Sequence, residues 1–245
     1  MKHSRTAPVI GLLCVVLSTG AAQAEVTHLW ADFNDKTIDE PIGMGGAEVG
    51  EPVSKDNAVT ATVREGPLAT PCLEIADALE GNGYVRFELL GETELTTGKV
   101  YLSADLWFES LADAFECTIM VKDEEPPSVR FAELGIEADG RIYLHYGQSS
   151  NAGTIGQVAT GRLFRVIFEF DMDAGTFNVW LDGELAVSGL EHEITEAGVG
   201  SFLFGCHWDE DAEGSYYVDA VVVTDYFQAV ATEEHSWGRM KAAFR

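Results

Sequence analysis

The chain has 245 residues, with 41 acidic and 15 basic side chains and a formal net charge of −26 at pH 7. A surface this acidic repels phosphate backbones, which excludes nucleic acid as a partner. The acidic side chains are explained most simply as a solvated surface, with divalent cations and basic partners as the alternatives.

The first 24 residues have the pattern of a secretory signal peptide. Lys2 and Arg5 precede an apolar run from Ala7 to Val16, and a small-residue site follows at residues 22–24. The run is too short to span a bilayer, and no later stretch approaches the roughly 20 apolar residues of a membrane helix. We therefore expect cleavage near Ala24 and a mature protein, secreted or periplasmic, without a membrane span.

Beyond residue 25, apolar and polar residues alternate with a period of two, and clusters of Gly, Asp and Asn separate the segments. This pattern predicts antiparallel strands, and helical periodicity is nearly absent. In chain order, strands are predicted near residues 26–33, 58–64, 72–75, 84–89, 99–109, 115–122, 129–137, 141–146, 161–171, 176–181, 184–187, 201–208 and 215–225. About a dozen strands indicate two packed sheets, because one open sheet of that width would curl or split.

Three short segments predict tight turns between neighbouring strands. They are residues 138–140, residues 173–175 and Asp182-Gly183, and each lies between alternating runs. Asp-Gly supplies the positive φ angle that a tight antiparallel hairpin requires. The glycine-rich stretch at residues 37–51 is predicted to be a surface loop.

Three stretches resemble the strands and turns of concanavalin A-like (laminin-G-like) jelly-roll domains. Residues 162–188, RLFRVIFEFDMDAGTFNVWLDGELAVS, resemble a hairpin of these domains, and residues 214–225, GSYYVDAVVVTD, resemble their last strand. Residues 29–35, LWADFND, resemble the first strand, which pairs beside the last one in these domains. The resemblance implies an all-β, two-sheet antiparallel β-sandwich over residues 25–227, followed by a tail at residues 228–245.

Alternation within the predicted strands turns several aromatic and polar side chains away from the core. Aromatic rings can stack on the apolar face of a sugar, and carboxylate, amide or imidazole groups can bind its hydroxyls. The sequence therefore predicts an outward stripe that binds carbohydrate, with loops folded over packing tryptophans as the alternative. The outward residues are Tyr101, Asp105, Trp107, Tyr143, His145 and Trp180.

Arg130, Tyr143 and His145 also resemble parts of the motifs of alginate-lyase-like jelly rolls. In those enzymes an Arg neutralises the uronate, while His and Tyr act as base and acid at the bond that breaks. The third motif of that family, a Lys-Ala-Gly run, is absent from this chain. A polysaccharide lyase is thus an alternative, and Arg130 joins the predicted ligand-binding residues.

Other catalytic motifs of glycan-processing sandwiches are not matched. Laminarinase-like hydrolases use E-x-D-x-x-E, in which alternate positions bring two carboxylates to one strand face. The nearest candidates, Glu74 and Asp77, are three positions apart and would face opposite sides of a strand. With no G-x-S-x-G or H-E-x-x-H pattern either, the sequence indicates a protein without catalysis of its own.

Three aspartates are candidates for a structural calcium site. The resemblance implies that Asp32 and Asp35, at the first strand, lie near Asp219 in the last strand. Similar jelly-roll modules carry a calcium ion there, and clustered carboxylates suit that ion. The alternative role for Asp219 is that of a charge on an edge strand.

Cleavage of the signal peptide would leave Cys72, Cys117 and Cys206 in an oxidising compartment. Three cysteines allow at most one internal disulfide, and their spacing matches no metal motif. Buried free thiols that act as small apolar groups are the alternative to a bridge.

The sequence therefore predicts an exported, non-catalytic carbohydrate-binding or adhesive module. The alternatives are an alginate-lyase-like polysaccharide lyase and a purely structural or protein-interaction domain. The tail at residues 228–245 is predicted to be polar and then amphipathic, docking on the sandwich or binding a protein partner.

Overall fold

The computed structural model describes residues 26–67, 70–78, 83–91, 94–111, 117–123, 130–147, 149–192, 197–206 and 214–225. The signal peptide predicted at residues 1–24 and the tail predicted at residues 228–245 lie outside these residues. Within the described ranges, no helix has the length and apolar character needed to cross a membrane.

Alternating apolar and polar residues form strands throughout the described residues, and the regular helical structure there is one short 3₁₀ helix at Ala47–Val49. The strands are β1 (Thr27–Ala31), β2 (Ser54–Lys55), β3 (Val59–Glu65), β4 (Pro71–Asp77), β5 (Gly83–Glu88), β6 (Lys99–Trp107), β7 (Cys117–Lys122), β8 (Arg130–Ile136), β9 (Arg141–Tyr146), β10 (Ser150–Gln157), β11 (Leu163–Asp171), β12 (Thr176–Leu181), β13 (Glu184–Glu191), β14 (Ser201–Cys206) and β15 (Ser215–Thr224).

The strands form two antiparallel sheets. Sheet A has the order β13-β12-β11-β6-β15-β4-β3, with β1 also paired to β15, and sheet B has the order β10-β9-β8-β7-β14-β5-β2. Each sheet turns one face towards the other, and the second face, called here the outer face, points away from the core. The predicted two-sheet antiparallel β-sandwich is confirmed.

The last strand, β15, is bent by a bulge at its centre. Ala220 has a φ angle of 49°, and the register of β15 against β6 shifts between Asp219 and Val222. On the other side of β15, its first half pairs with β4 and its second half with β1. The first strand therefore lies beside the last one, as the jelly-roll resemblance implies.

The core between the sheets is rich in phenylalanine. Phe168 of sheet A meets Phe202 of sheet B edge-on, with 6.1 Å between ring centroids. Tyr216 of sheet A is fully buried, and its hydroxyl donates a 3.2 Å hydrogen bond to the backbone oxygen of Gly205 in sheet B. An aromatic pair of this kind contributes about 0.5–1.5 kcal/mol beyond the burial of its area.

The predicted boundaries are right for β9 and β12 and within a few residues for most others. The sequence gives no sign of β10, which pairs with β9 at the edge of sheet B. Apart from Ile155, its residues are polar or small; most are exposed, and two register shifts interrupt its pairing. A single apolar side chain that reaches the core gives no alternating pattern, which is why sequence analysis misses this strand.

Cys72, Cys117 and Cys206 are all buried and carry free thiols.

Candidate functional site

The predicted ligand-binding residues separate onto opposite sides of the sandwich. Tyr101, Asp105 and Trp107 of β6 and Trp180 of β12 belong to the outer face of sheet A. Arg130 of β8 and Tyr143 and His145 of β9 belong to sheet B. The expectation of one continuous stripe is wrong, because alternation shows which residues of a strand share a side and not which sheet the strand joins.

On sheet A, Asp105 is the partner of a partly buried arginine. Arg165 of β11 lies opposite Asp105 and donates two hydrogen bonds of 2.5 Å, from Nε and Nη2, to its two carboxylate oxygens. Asp105 is 3% exposed. A bidentate pair of this kind fixes both side chains and removes the carboxylate from contact with solvent. The carboxylate of Asp105 is therefore bound by Arg165 and is not available to a ligand.

Asp219 is the neighbour of Asp105 on the other side, in β15. Its carboxylate accepts a 3.0 Å hydrogen bond from Oγ1 of Thr70 and a 2.7 Å hydrogen bond from the backbone N–H of Ala220. The second bond holds the bulge at Ala220 and gives Asp219 a local structural role.

Tyr101 and Trp180 are joined through Glu169 of β11, a residue that sequence analysis did not select. One carboxylate oxygen of Glu169 accepts from Nζ of Lys99 at 3.1 Å and from the Tyr101 hydroxyl at 3.4 Å. The other accepts from the Asn178 amide at 3.0 Å and from Nε1 of Trp180 at 3.2 Å. A charged residue inside the apolar run VIFEF is the sequence signal that could have revealed this position.

These contacts change the acidity of Glu169. Burial alone raises the pKa of this carboxyl, but hydrogen bonds from Asn178, Lys99 and Trp180 bring the pKa below its ordinary value. The charged form is therefore the one that holds Tyr101 and Trp180 in place. Trp107, which is partly exposed between Leu163 and Tyr217, lies outside the contacts of Glu169.

On sheet B, two tyrosines lie over glycines in the same row. Tyr143 is opposite Gly135, Gly135 is opposite Thr118, Thr118 is opposite Gly205, and Gly205 is opposite Tyr84. A methyl group on Gly135 would overlap the ring tip of Tyr143, and one on Gly205 would lie 2.5 Å from Cδ1 of Tyr84. Both rings thus lie across the sheet towards Thr118. We call this row of five residues the tyrosine platform.

The centre of the tyrosine platform is Thr118, which is completely buried although its side chain belongs to the outer face. Its Oγ1 atom has no hydrogen-bond partner within the part of the chain that the structure describes. Tyr84 and Tyr143 are both partly exposed, as expected of rings that rest one face on a sheet. The ring of His145 stands edge-on to Tyr143 at 5.1 Å between centroids and extends the surface along β9.

Charged side chains flank the tyrosine platform along the next rows of sheet B. Arg130 forms an ion pair with Glu133 and donates a 3.3 Å hydrogen bond from Nε to the Gly147 backbone oxygen. Glu133 lies opposite His145. Of the residues predicted together for lyase chemistry, Tyr143 and His145 are thus in contact, while the guanidinium of Arg130 is engaged by a carboxylate.

Lys122 of β7 occupies the middle of this charged region. Burial lowers its pKa, the carboxylate of Glu133 opposes that change, and the nearby Arg130 and Arg86 lower the pKa further. Arg86 itself lies 3.4 Å from the carboxylate of Glu88. Three of the few basic residues of an acidic protein therefore meet beside the platform, together with carboxylates.

An open cleft of about 710 Å³ lies at one end of the sandwich, beyond the end of β6. None of the predicted ligand-binding residues belongs to its lining. The lining residues are Glu109, Ser110, Leu111, Ala138, Asp139, Gln157, Val158, Ala159 and Thr160.

The three aspartates predicted to bind calcium do not converge. Asp32 accepts a 3.4 Å hydrogen bond from the backbone N–H of Asn34, and Asp35 is exposed beside Lys36 at 3.6 Å. Asp219 is buried by the contacts described above. Among the described residues, no group of three or more His, Cys, Asp or Glu side chains is arranged to hold a metal ion. Calcium binding stays a prediction.

No protein-family model matches the chain, and no curated protein matches it in sequence. Solved structures resemble it in fold. A sialidase superposes on 81% of this chain with a TM-score of 0.57 and 13% identity, and the chain spans 18% of the length of that enzyme. The carbohydrate esterase from the Shiga toxin-encoding bacteriophage phi24B superposes on 82% of this chain and 99% of its own, with a TM-score of 0.56 and 9% identity. At these identities the similarity extends to the sandwich fold alone.

Proposed function

We propose that this protein is an exported, non-catalytic carbohydrate-binding module that holds its glycan on the outer face of sheet B. The observation that carries this function is the placement of Tyr84 and Tyr143 across Gly205 and Gly135. Glycine in the interior of a strand is unfavourable unless another group approaches closely, and here the approaching groups are two aromatic rings.

Rings that lie flat on a sheet suit the shape of a sugar. The upper face of each ring can stack against the apolar C–H face of a pyranose. Tyr84 and Tyr143 belong to strands separated by three others. With strands about 4.8 Å apart, the backbones of the two tyrosines are roughly 19 Å from each other. The platform therefore fits several sugar units of a chain better than one monosaccharide.

The polar groups beside the rings suit sugar hydroxyls. Arg130 and Glu133 form an ion pair, and His145 faces Glu133 across the strands. Such groups offer donors and acceptors in fixed positions, which is how ligand pockets obtain specificity. Because cations and carboxylates alternate here, the surface favours neutral polysaccharides over polyanions.

The known proteins of similar fold are consistent with this proposal. The two neighbours described above are named for action on sugars, a sialidase and a carbohydrate esterase. Neither likeness identifies a ligand for this chain.

The decisive experiment compares tyrosines on the two outer faces. Tyr84→Ala and Tyr143→Ala are tested for retention on a panel of insoluble neutral polysaccharides, with Tyr217→Ala on sheet A as the matched control. We expect each platform variant to bind about tenfold less tightly or worse, since a stacked ring contributes on the order of 1 kcal/mol or more. The control should bind as well as the unsubstituted protein.

Other outcomes would overturn the proposal. Loss of binding in Tyr217→Ala alone would move the site to sheet A. If the unsubstituted protein binds none of the polysaccharides, the domain is structural or binds protein.

A polysaccharide lyase is the second candidate, because Tyr143 and His145 are in ring contact as a potential acid and base pair. The ion pair between Arg130 and Glu133 weakens this candidate, since a lyase needs its arginine for the uronate. Tyr143→Phe separates the two functions, because it keeps the ring and removes the acid. A lyase would release an ultraviolet-absorbing unsaturated product that this variant fails to make, whereas a binding module keeps its retention.

A further inference from the structure

Cys117 and Cys206 occupy facing positions on neighbouring strands. Cys117 is the first residue of β7 and Cys206 the last of β14, and they are direct partners in the antiparallel register. Both belong to the same core cluster, with 0% and 4% of their surface exposed. Because residues directly opposite each other share a face of the sheet, both thiols point into the space between the sheets.

The distance between such positions suits a disulfide. Facing residues of antiparallel strands have Cα atoms roughly 4.5–5.5 Å apart, and disulfides form when that distance is about 4.4–6.8 Å.

The third cysteine cannot compete for either partner. Cys72 belongs to β4 in the other sheet, and its thiol donates a 3.8 Å hydrogen bond to the backbone oxygen of Arg64 on β3. Cys72 is not a member of the core cluster that contains Cys117 and Cys206.

Tyr216 lies near both thiols. Burial raises the pKa of its phenol well above the ordinary value, and both Cys117 and Cys206 raise it further. Both sulfurs are therefore near enough to this hydroxyl to act on its charge. The same hydroxyl donates to the Gly205 backbone oxygen, one residue before Cys206.

We propose that Cys117 and Cys206 form a cross-strand disulfide when the protein folds in an oxidising compartment. A small-molecule disulfide such as oxidised glutathione supplies the oxidant. One cysteine thiolate attacks it, forms a mixed disulfide and releases one thiol. The other thiolate then attacks the protein sulfur of the mixed disulfide, forms the Cys117–Cys206 bond and releases the second thiol. Two electrons and two protons pass from the protein to the oxidant.

The bond forms before the sandwich closes. In the folded protein, burial raises the pKa of the Cys206 thiol to about 12, so almost no thiolate is present at neutral pH. The folded reduced protein should therefore resist oxidation, while refolding under oxidising conditions should yield the bridge.

The test is refolding of the denatured, reduced full chain in a glutathione redox buffer, compared with refolding in excess dithiothreitol. Every sample carries Cys14→Ser, which removes the cysteine of the predicted signal peptide. The products are denatured, alkylated and analysed by mass spectrometry and non-reducing peptide mapping. Before alkylation, we expect oxidised protein about 2 Da lighter than the reduced protein; after alkylation, Cys72 should be modified and the Cys117 and Cys206 peptides cross-linked. Its melting temperature should be higher by roughly 10 °C, because the bridge closes a long loop.

Single substitutions give the controls. Cys72→Ser should keep both the cross-link and the higher melting temperature, whereas Cys206→Ala should lose both. Peptide mapping of Cys72→Ser decides the question even if Cys206→Ala fails to fold. Three alkylated cysteines after oxidative refolding, or a bridge that includes Cys72, would overturn the proposal.

Discussion

The outer faces of the two sheets differ in how their aromatic side chains are held. On sheet A, Glu169 accepts four hydrogen bonds and Asp105 pairs with Arg165, so the polar groups satisfy each other. On sheet B, Tyr84 and Tyr143 lie over glycines beside Thr118, whose hydroxyl has no partner among the described residues. Sheet A therefore carries polar groups that bind one another, called here a closed network, and sheet B carries two partly exposed rings beside a buried hydroxyl.

This difference separates structural aromatics from binding aromatics. Trp180 turns outward as alternation predicts, yet its indole N–H is already used by Glu169. A ring held by the protein's own carboxylate has lost the donor that a sugar hydroxyl would use. An outward aromatic residue is therefore not by itself evidence of a binding surface.

The largest effect is expected from breaking the closed network of sheet A. Arg165→Met leaves the buried carboxylate of Asp105 without its partner, which should cost about 3–5 kcal/mol in the free energy of unfolding. Urea denaturation measures the loss. The matched control is Arg162→Met, because Arg162 forms an equally short but exposed pair with Asp182 and should cost less than about 1 kcal/mol. Equal small losses would show that the Asp105 pair is not part of a closed network.

Glu169 should make the stability of sheet A depend on pH. Its pKa in the folded protein lies below the ordinary value, so its contribution is present above the unfolded pKa, near 4.5, and is lost as pH falls through the folded pKa. We expect Glu169→Gln to cost about 1–3 kcal/mol at pH 7 and to flatten the acid limb of the stability profile. Glu184→Gln, at an exposed position of β13, is the control. A steep acid limb that survives in Glu169→Gln would contradict this account.

The sequence predicts the strands well because each strand carries its own alternating pattern, as β9 and β12 show. Pairing between strands distant in sequence is not encoded locally, and this limits prediction of the site. Tyr143 can be selected from the pattern of its own strand. Its place in one row with Tyr84 appears only when β9 and β5 join the same sheet. Glycines inside β8 and β14 were the available signal, since a glycine in a strand marks a close approach.

Adding one methyl group to the platform tests sheet B without removing a ring. In Gly135→Ala the new methyl overlaps the tip of the Tyr143 ring, which is flexible and can turn away. We expect a stability loss of about 1 kcal/mol and glycan binding about tenfold weaker, because the ring no longer lies flat. Isothermal titration with a soluble oligosaccharide measures the binding.

The control for this methyl is Gly156→Ala on β10. There the added group would lie 2.6 Å from Cδ1 of Leu181, also the end of a flexible side chain, but away from the platform. It should show a comparable loss of stability with unchanged binding. If Gly135→Ala binds as tightly as the unsubstituted protein, a flat Tyr143 is not needed for the ligand.

The smallest effect is expected from removing one hydroxyl group, that of Thr118 on the outer face of sheet B. Thr118→Val keeps the shape of the side chain and removes a buried oxygen that has no partner among the described residues, so the protein should become more stable by up to about 1 kcal/mol. Ser201→Ala is the matched control, since its buried hydroxyl donates a 3.2 Å hydrogen bond to the Asp123 backbone oxygen. That variant should lose about 1 kcal/mol. A loss of stability in Thr118→Val would mean that its hydroxyl is satisfied, and the outer face of sheet B would then be as closed as that of sheet A.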